Sequence, residues 1–319
     1  MTKTRMTWAV MAALVSGCGL SEQDPRVAVV ASTQQALLQE NGRELNGREL
    51  NGRELNGREL NGRELNGREL NGRELNGSSL GGATAEGLTA LWLEGSELVA
   101  LTEAGVQVRG AALTGAELAS EGSPLRYRLE GVEAVGDVWH YQVSYESGGQ
   151  WLPVCEEGAS SIPLAGLWDY RQGVEGGGSR VDVPGVFTFA CTDAALGKCV
   201  QMGYAPWRAA AGGGSLAAHH QACTRMLRAD YFGDGRSFTK DGITINVYDG
   251  VGIQEDTESW RFEAEWDEQG ALCLEGRRRS SSRWLAREDA YALQVEDVSC
   301  GDRAHFDEGT LLMTEYRAR

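Results

Sequence analysis

The chain has 319 residues, 41% of them hydrophobic, which is enough for one substantial core or two small ones. Its formal net charge of −16 argues against a nucleic-acid partner, because contacts to phosphate groups require a basic surface. The sequence contains no HExxH or Walker-type motif and therefore indicates no familiar zinc-protease or nucleotide site.

The first residues have the pattern of an export signal. Lys3 and Arg5 precede an uncharged, largely apolar run over 6–15. This run suits a signal peptide but is too short for a bilayer, which takes about 20 apolar residues to cross. We therefore predict a signal peptide over 1–17.

The end of this signal carries a candidate attachment site. Residues 15–18 read Val-Ser-Gly-Cys, which resembles the lipobox of bacterial lipoproteins, where the cysteine receives a diacylglycerol. The alternative is an ordinary signal peptide with an incidental cysteine. We predict a lipid on Cys18, a polar tether over 18–40 and an extracytoplasmic location. Gly19 is not the Asp that signals inner-membrane retention, which favours the outer membrane.

A pentapeptide repeat follows the tether. Asn-Gly-Arg-Glu-Leu occurs seven times over 41–75, and Asn-Gly-Ser-Ser-Leu follows at 76–80. A period of five fits neither a helix nor a strand, so the leucines cannot line one face of either element. A square-sided solenoid would bury Arg43 and its equivalents without partners, at a cost of several kcal/mol each. We predict a flexible spacer over 41–80.

The remainder of the chain is globular in composition, with β-branched and aromatic segments between turn residues. The predicted strands are 90–93, 98–102, 106–109, 125–132, 138–145, 186–191, 243–248, 260–266 and 271–274. Within 138–145, alternation places Trp139, Tyr141, Val143 and Tyr145 on a buried face and His140 on the opposite face.

Helix signals are fewer than strand signals. Asp193 is a candidate N-cap for a helix over 194–202. The clearest pattern runs from Ser215 to Tyr231, with Ser215 as its cap and Gly233 as its end. The sequence therefore predicts an α+β fold of mainly antiparallel strands, with one long helix and one or two short ones.

Six cysteines remain once Cys18 is set aside. An even number in an exported protein indicates three disulfides, although six cysteines allow fifteen pairings and the sequence does not choose among them. We expect a bond between the two helices, Cys199–Cys223. The full set, with the other two expected pairs, is Cys155–Cys191, Cys199–Cys223 and Cys273–Cys300.

The end of the long helix reads Ala229-Asp230-Tyr231-Phe232. Together with Gly-Lys-Cys at 197–199, Gly-Tyr-Ala-Pro-Trp at 203–207 and the segment 239–249, it resembles the ADYC domain, a family of exported bacterial proteins named for its Ala-Asp-Tyr-Cys motif. The resemblance extends over about 88–275. It implies export, a lipoprotein signal and short LNGxx-type repeats, but no particular activity.

We accordingly divide the globular part into a β-rich segment, 81–155, and an ADYC-like domain, 156–319. The chain departs from the motif at its last position, where Phe232 replaces cysteine. Either chemistry that needs this thiol is lost, or the cysteine is a disulfide partner whose absence is tolerated. We expect the Phe232 ring to be mostly buried in the space that a disulfide would occupy.

The sequence leaves a hydrolase site open as an alternative and argues against a metal site. His219 or His220 with Cys223 and Asp230 would form a nucleophilic set of a hydrolase, but an exported cysteine is more often oxidised. Pairing of Asp230 with Arg228 in a structural role is the simpler interpretation. A metal site is not expected: the histidines are His140, His219, His220 and His305, and the spacing of Asp230, Asp234 and Asp241 is not that of a calcium loop.

The abundance of tryptophan leaves glycan binding open as a further alternative. Buried rings would stabilise the core, whereas exposed ones could stack on sugars. We predict an envelope-anchored structural or ligand-binding module, without catalytic residues or cofactor, with an envelope glycan or protein as its partner. The tryptophans of the globular part are Trp92, Trp139, Trp151, Trp168, Trp207, Trp260, Trp266 and Trp284.

Overall fold

The computed structural model describes residues 69–70, 77–81, 83–85, 87–120, 126–239, 243–276 and 299–317. Within these ranges the chain has the predicted α+β fold of antiparallel sheets and two α-helices. None of the helices described is long and apolar enough to cross a membrane. The strands are β1 (Glu69–Leu70), β2 (Gly77–Gly81), β3 (Ala83–Ala85), β4 (Leu88–Glu94), β5 (Glu97–Thr102), β6 (Gln107–Arg109), β7 (Glu117–Ser120), β8 (Arg126–Val135), β9 (Val138–Ser147), β10 (Gln150–Pro153), β11 (Ser161–Ala165), β12 (Leu167–Trp168), β13 (Arg180–Val181), β14 (Val186–Cys191), β15 (Ile243–Asp249), β16 (Arg261–Asp267), β17 (Gly270–Leu274) and β18 (Leu312–Tyr316). The α-helices are α1 (Ala195–Gln201) and α2 (Ala217–Arg228).

Two larger sheets organise the described chain. One has eight strands, in the order β2-β14-β11-β9-β8-β7-β3 with β10 beside β9, and the other has five, in the order β1-β15-β18-β16-β17. A three-stranded sheet, β4-β5-β6, and the pair β12-β13 complete the strands. The predicted boundary between 155 and 156 passes through the eight-stranded sheet, because β11 and β14 pair there with β9 and β2.

The longest hairpin, β8–β9, follows the predicted alternation. Tyr141 and Val143 are buried, the intervening Gln142 is exposed, and the partly buried Trp139 packs against the same apolar cluster. His140 lies on the opposite face, where its Nδ1 is 2.8 Å from Ser160 Oγ. Period-two patterning thus gives the orientation of this hairpin correctly.

The two helices share an apolar cluster with the five-stranded sheet. Residues of α1 and α2 lie in this cluster together with Ile245, Trp266 and Leu312 of β15, β16 and β18. Burial of this helical face accounts for the helix pattern in the sequence.

The caps of both helices differ from the prediction. The residue before α1 is Ala194, and the Asp193 side chain does not cap the helix. Leu216 precedes α2, and Ser215 Oγ accepts only a long bond of 3.4 Å from the Ala217 amide. The C-terminal end lies before Gly233, because Ala229 already adopts the left-handed conformation at φ 50°. Helix ends are set by such single residues and are harder to predict than helix centres.

The repeat region contributes two strands to the sheets. Glu69–Leu70, in the sixth repeat unit, pairs with Thr244 and Ile243 of β15, and Gly77–Gly81 pairs along β14. The predicted spacer over 41–80 therefore extends too far at its C-terminal end. The backbone of Glu69–Leu70 and Gly77–Gly81 is hydrogen-bonded to β15 and β14. The earlier repeat units and the Cys18 region lie outside the described residues.

Candidate functional site

The Ala-Asp-Tyr motif stands at the end of α2, and its aspartate is fully buried. Asp230 accepts hydrogen bonds from the backbone amides of Asp234 at 3.1 Å and Gly235 at 3.0 Å. Arg225 Nη1 donates to Asp230 Oδ2 at 2.5 Å, and Arg228 Nη1 lies 3.6 Å from the same oxygen. The carboxylate therefore fixes the turn after the helix and neutralises buried positive charge.

The two arginines extend this network to a glycine-rich loop. Arg225 donates to the Gly177 carbonyl and to Ser179 Oγ, the latter at 2.6 Å, and Arg228 donates to the Gly235 carbonyl. Gly235 has φ +80°, and a Cβ atom there would lie 2.2 Å from a backbone oxygen, so only glycine fits. The network thus holds the helix end, the following turn and the loop together.

Burial raises the pKa of the Asp230 carboxyl, and the positive charges of Arg228 and Arg225 oppose that shift. Pairing of Asp230 with Arg228, expected from the sequence, is present at 3.6 Å, but Arg225 is the closer partner. Arg225 lies five residues before Asp230, and no local sequence pattern singles out a pair at that spacing.

The other motif residues also contribute to packing. Tyr231 is buried, donates from its hydroxyl to Glu263 Oε1 at 2.6 Å and stacks on Trp266 with ring centroids 5.2 Å apart. Phe232 is partly buried and packs edge-on against Phe238, with centroids 5.3 Å apart. The phenyl ring at the cysteine position of the motif thus fills apolar space next to the core.

The residues of the hydrolase alternative are engaged elsewhere in the fold. Cys223 is bonded to Cys199 and carries no thiol, and Asp230 is held by the two arginines. His220 is fully buried, with Nε2 3.0 Å from the Leu196 carbonyl, and burial lowers its pKa to about 4.

The remaining predicted positions of this group are separate from the motif. His219 stacks on Tyr204 at 6.1 Å between centroids, and burial lowers its pKa. Asp241 lies outside the described residues. Tyr204 in turn donates to Asp249 Oδ2 at 2.7 Å. His219 therefore faces a buried tyrosine, and no nucleophile is placed next to it among the contacts described.

The cysteines pair as expected: Cys155–Cys191, Cys199–Cys223 and Cys273–Cys300. The bond between Cys199 and Cys223 joins α1 to α2, and both residues are fully buried. The bond between Cys155 and Cys191 ties the segment after β10 to the end of β14. Disulfides of this kind restrict the unfolded chain and stabilise domains of modest core size.

Tryptophans occur both in the core and near the surface. Trp168 and Trp266 are fully buried, and their indole N–H groups donate to Gln221 and Thr314. Trp151 lies at the surface, but the Arg128 guanidinium is 4.5 Å from its ring centroid and covers one face. Trp284 lies outside the described residues, and the partly buried rings are Trp92, Trp139, Trp151, Trp207 and Trp260.

Two polar groups were not singled out by the sequence. His305 Nδ1 lies 2.9 Å from Oε1 of the buried Glu265, which also accepts from Thr310 Oγ1 at 2.9 Å. This contact with Glu265 raises the pKa of His305. The partners are 40 residues or more apart in the chain, so no local pattern could have connected them.

The second group surrounds the Cys155–Cys191 disulfide. A cleft of about 320 Å³ opens between β9 and the segment 153–159. An oxygen of the Asp193 carboxylate and the two sulfurs all lie within 4.8 Å of one another. Because the sulfurs are bonded to each other, they are not the thiolates that a metal site would need.

Comparison with protein-family models gives a match to the ADYC domain over residues 105–280, which is more than half of the chain. Neither the curated proteins nor the solved structures gave a significant match. The matched range contains the motif at the end of α2, its buried ion network and the Cys155–Cys191 and Cys199–Cys223 bonds. The chain belongs to the ADYC domain family.

Proposed function

We propose that this protein is a lipid-anchored component of the cell envelope whose ADYC domain is a binding or structural module rather than an enzyme. The signal-like residues 1–17 and the lipobox at Cys18 support the anchor. Three disulfides support an oxidising, extracytoplasmic compartment. Gly19 after the anchor cysteine favours the outer membrane.

The observation that carries the non-catalytic half of the proposal is the internal use of the motif. Asp230 is fully buried and accepts from Arg225, the Asp234 amide and the Gly235 amide. A carboxylate committed to four internal contacts, including the one to Arg228, is suited to holding a loop and not to exchanging protons with a substrate. These internal contacts of the motif favour a rigid structural or binding module.

The charge of the chain limits the class of partner. At −16 it disfavours nucleic acids and other polyanions, and it favours neutral or positively charged envelope glycans and proteins. The membrane itself is contacted through the lipid on Cys18.

Metabolic labelling with an alkyne fatty acid tests the anchor. The wild-type chain should be labelled and sediment with membranes, and Cys18→Ser should lose both properties. Ser16→Ala is the matched control, because it preserves a small lipobox residue and should be labelled normally. Gly19→Asp should move the protein towards the inner membrane in a density gradient. Equal labelling of wild type and Cys18→Ser would refute the anchor.

A substrate screen tests the absence of catalysis. Nitrophenyl esters, phosphates and glycosides are incubated with the wild-type chain and with a His219→Ala variant. We expect the two proteins to show the same background turnover. Turnover by the wild type that the variant lacks would establish an enzyme and refute the module.

A further inference from the structure

The disulfide Cys155–Cys191 has surroundings that set it apart from Cys199–Cys223. Both members of the latter are fully buried, whereas Cys155 is partly buried and lines the 320 Å³ cleft beside β9. Cys191, at the end of β14, is fully buried. Cys155 therefore borders a cleft, and Cys191 is enclosed.

A carboxylic acid stands next to this bond. Its oxygen lies within 4.8 Å of both sulfurs, and Asp193 Oδ1 is buried without a hydrogen-bond partner among the described residues. Burial raises the pKa of Asp193, while the buried Lys198 acts in the opposite direction. A carboxyl group in this environment is suited to hold a proton close to the sulfurs.

We propose that Cys155–Cys191 is a thiol-exchange site that captures a small thiol or a cysteine-bearing peptide as a mixed disulfide. The thiolate of the incoming molecule attacks Cys155 Sγ from the cleft and forms the new S–S bond, while the bond to Cys191 breaks. Cys191 leaves as a thiolate and takes the proton of the Asp193 carboxyl. The incoming thiol released its proton to water, and Asp193 regains a proton from water. One thiol and one protein disulfide thus give one mixed disulfide and one protein thiol, with no other oxidant or reductant.

The fold holds the cleft segment in place when the bond opens. The Ser160 amide donates to Thr192 Oγ1 at 3.1 Å, and the Thr192 amide donates to the Ser160 carbonyl at 2.9 Å. On its other side the segment continues from β10, which pairs with β9. The Val154 carbonyl oxygen is 3.8 Å from Cys191 Sγ and can accept from the thiol that forms. Exchange at this bond can therefore proceed without unfolding.

The rim of the cleft indicates the charge of the incoming molecule. Glu156 and Glu157 line the cleft and are exposed. Their charges attract cationic thiols and repel anionic ones. Because intrinsic thiol reactivity also differs between compounds, preference is judged by comparing the wild type with a Glu156→Gln, Glu157→Gln variant.

The test uses the full chain with cysteamine as the thiol probe. Rapid alkylation and peptide mapping follow the adduct. We expect cysteamine on Cys155 and a free thiol on Cys191, formed at least tenfold faster than opening of Cys199–Cys223, because access controls exchange. The ratio of cysteamine to mercaptoacetate rates should fall in the glutamine variant. First opening at another disulfide would overturn the proposal.

The role of Asp193 is tested by the pH profile of exchange. Normalised to thiolate concentration, the wild-type rate should fall as pH rises and Asp193 loses its proton. In Asp193→Asn the profile should be flat and the low-pH rate roughly tenfold lower, a modest factor because thiolates leave readily. Asp182→Asn, at an exposed carboxylate, is the matched control. If Asp193→Asn does not fold, the wild-type profile decides alone, and a flat one refutes the proton donor. The outcome leaves the anchor experiment unaffected.

Discussion

Replacing Asp230 by Asn should destabilise the domain strongly. The substitution preserves shape but removes the negative charge that Arg225 and Arg228 face, at a site where all three side chains are almost fully buried. Removing one member of a buried ion pair costs about 3–5 kcal/mol, because the remaining charge is left without compensation. For a domain of 150–250 residues, where 1 kcal/mol corresponds to about 2–4 °C, the melting temperature should fall by roughly 6–20 °C.

Urea unfolding under non-reducing conditions, followed by tryptophan fluorescence, measures this effect. The matched control is Asp137→Asn, whose partner is Arg208 but whose side chain is 69% exposed. Exposed pairs contribute about 0–1 kcal/mol, so the control should change little. A loss below 1 kcal/mol in Asp230→Asn, equal to that of the control, would refute the view that the motif carboxylate holds the fold.

Three further predictions concern pH, crosslinking and the repeat. The pKa of His220 is about 4 in the folded state, below its usual 6.5. As the pH falls, the unfolded chain therefore binds a proton at this residue before the folded chain does. The free energy of unfolding should fall by about 3 kcal/mol between pH 6.5 and pH 4. His220→Gln should show a smaller fall across this range in urea titrations; parallel curves would contradict the assignment. The double variant Cys199→Ser, Cys223→Ser should lose about 2–5 kcal/mol, and mass spectrometry of alkylated, unreduced wild type should find no free thiol among the six cysteines. Deletion of 41–68 should leave the melting temperature within about 5 °C of wild type, whereas deletion of 41–81 should lower it further, because it also removes the backbone pairing of 77–81 with β14.

The sequence predicts correctly those elements whose structure depends on residues that are close together in the chain. Strand β14 has the predicted bounds, Val186–Cys191, because six buried residues in succession leave little ambiguity. The centre of α2 follows from its apolar spacing. Its end does not, because Ala229 adopts a left-handed conformation that only the surrounding network stabilises, with no glycine to indicate it.

Two of the missed strands depend on partners that are distant in the chain. Strand β18 (Leu312–Tyr316) has the appearance of a short tail, yet it lies between β15 and β16 in the five-stranded sheet. Strand β11 contains Pro163, which argues against a strand when read locally, although four of its five residues are buried. Partners at least 20 residues away in the chain decide both cases, and one sequence does not display them.

The contacts within the two polar networks likewise depend on the fold, whereas the motif itself can be recognised in the sequence. Asp230 and Arg228 could be paired from their spacing, but the contact of Arg225 with Gly177 joins segments 48 residues apart. The position of Asp193 against the Cys155–Cys191 bond likewise depends on the fold. Sequence reasoning therefore finds which residues carry charge or sulfur, and the fold decides which of them meet.

The pairing of the six cysteines explains why Phe232 can replace the cysteine of the motif. All six cysteines of the described domain pair with one another, so a seventh at position 232 would have no partner among them. The aromatic ring instead packs on Phe238 beside the apolar cluster. Asp230 and Tyr231 retain their buried contacts without that thiol. In this chain the motif therefore acts through its aspartate and tyrosine as a determinant of the fold.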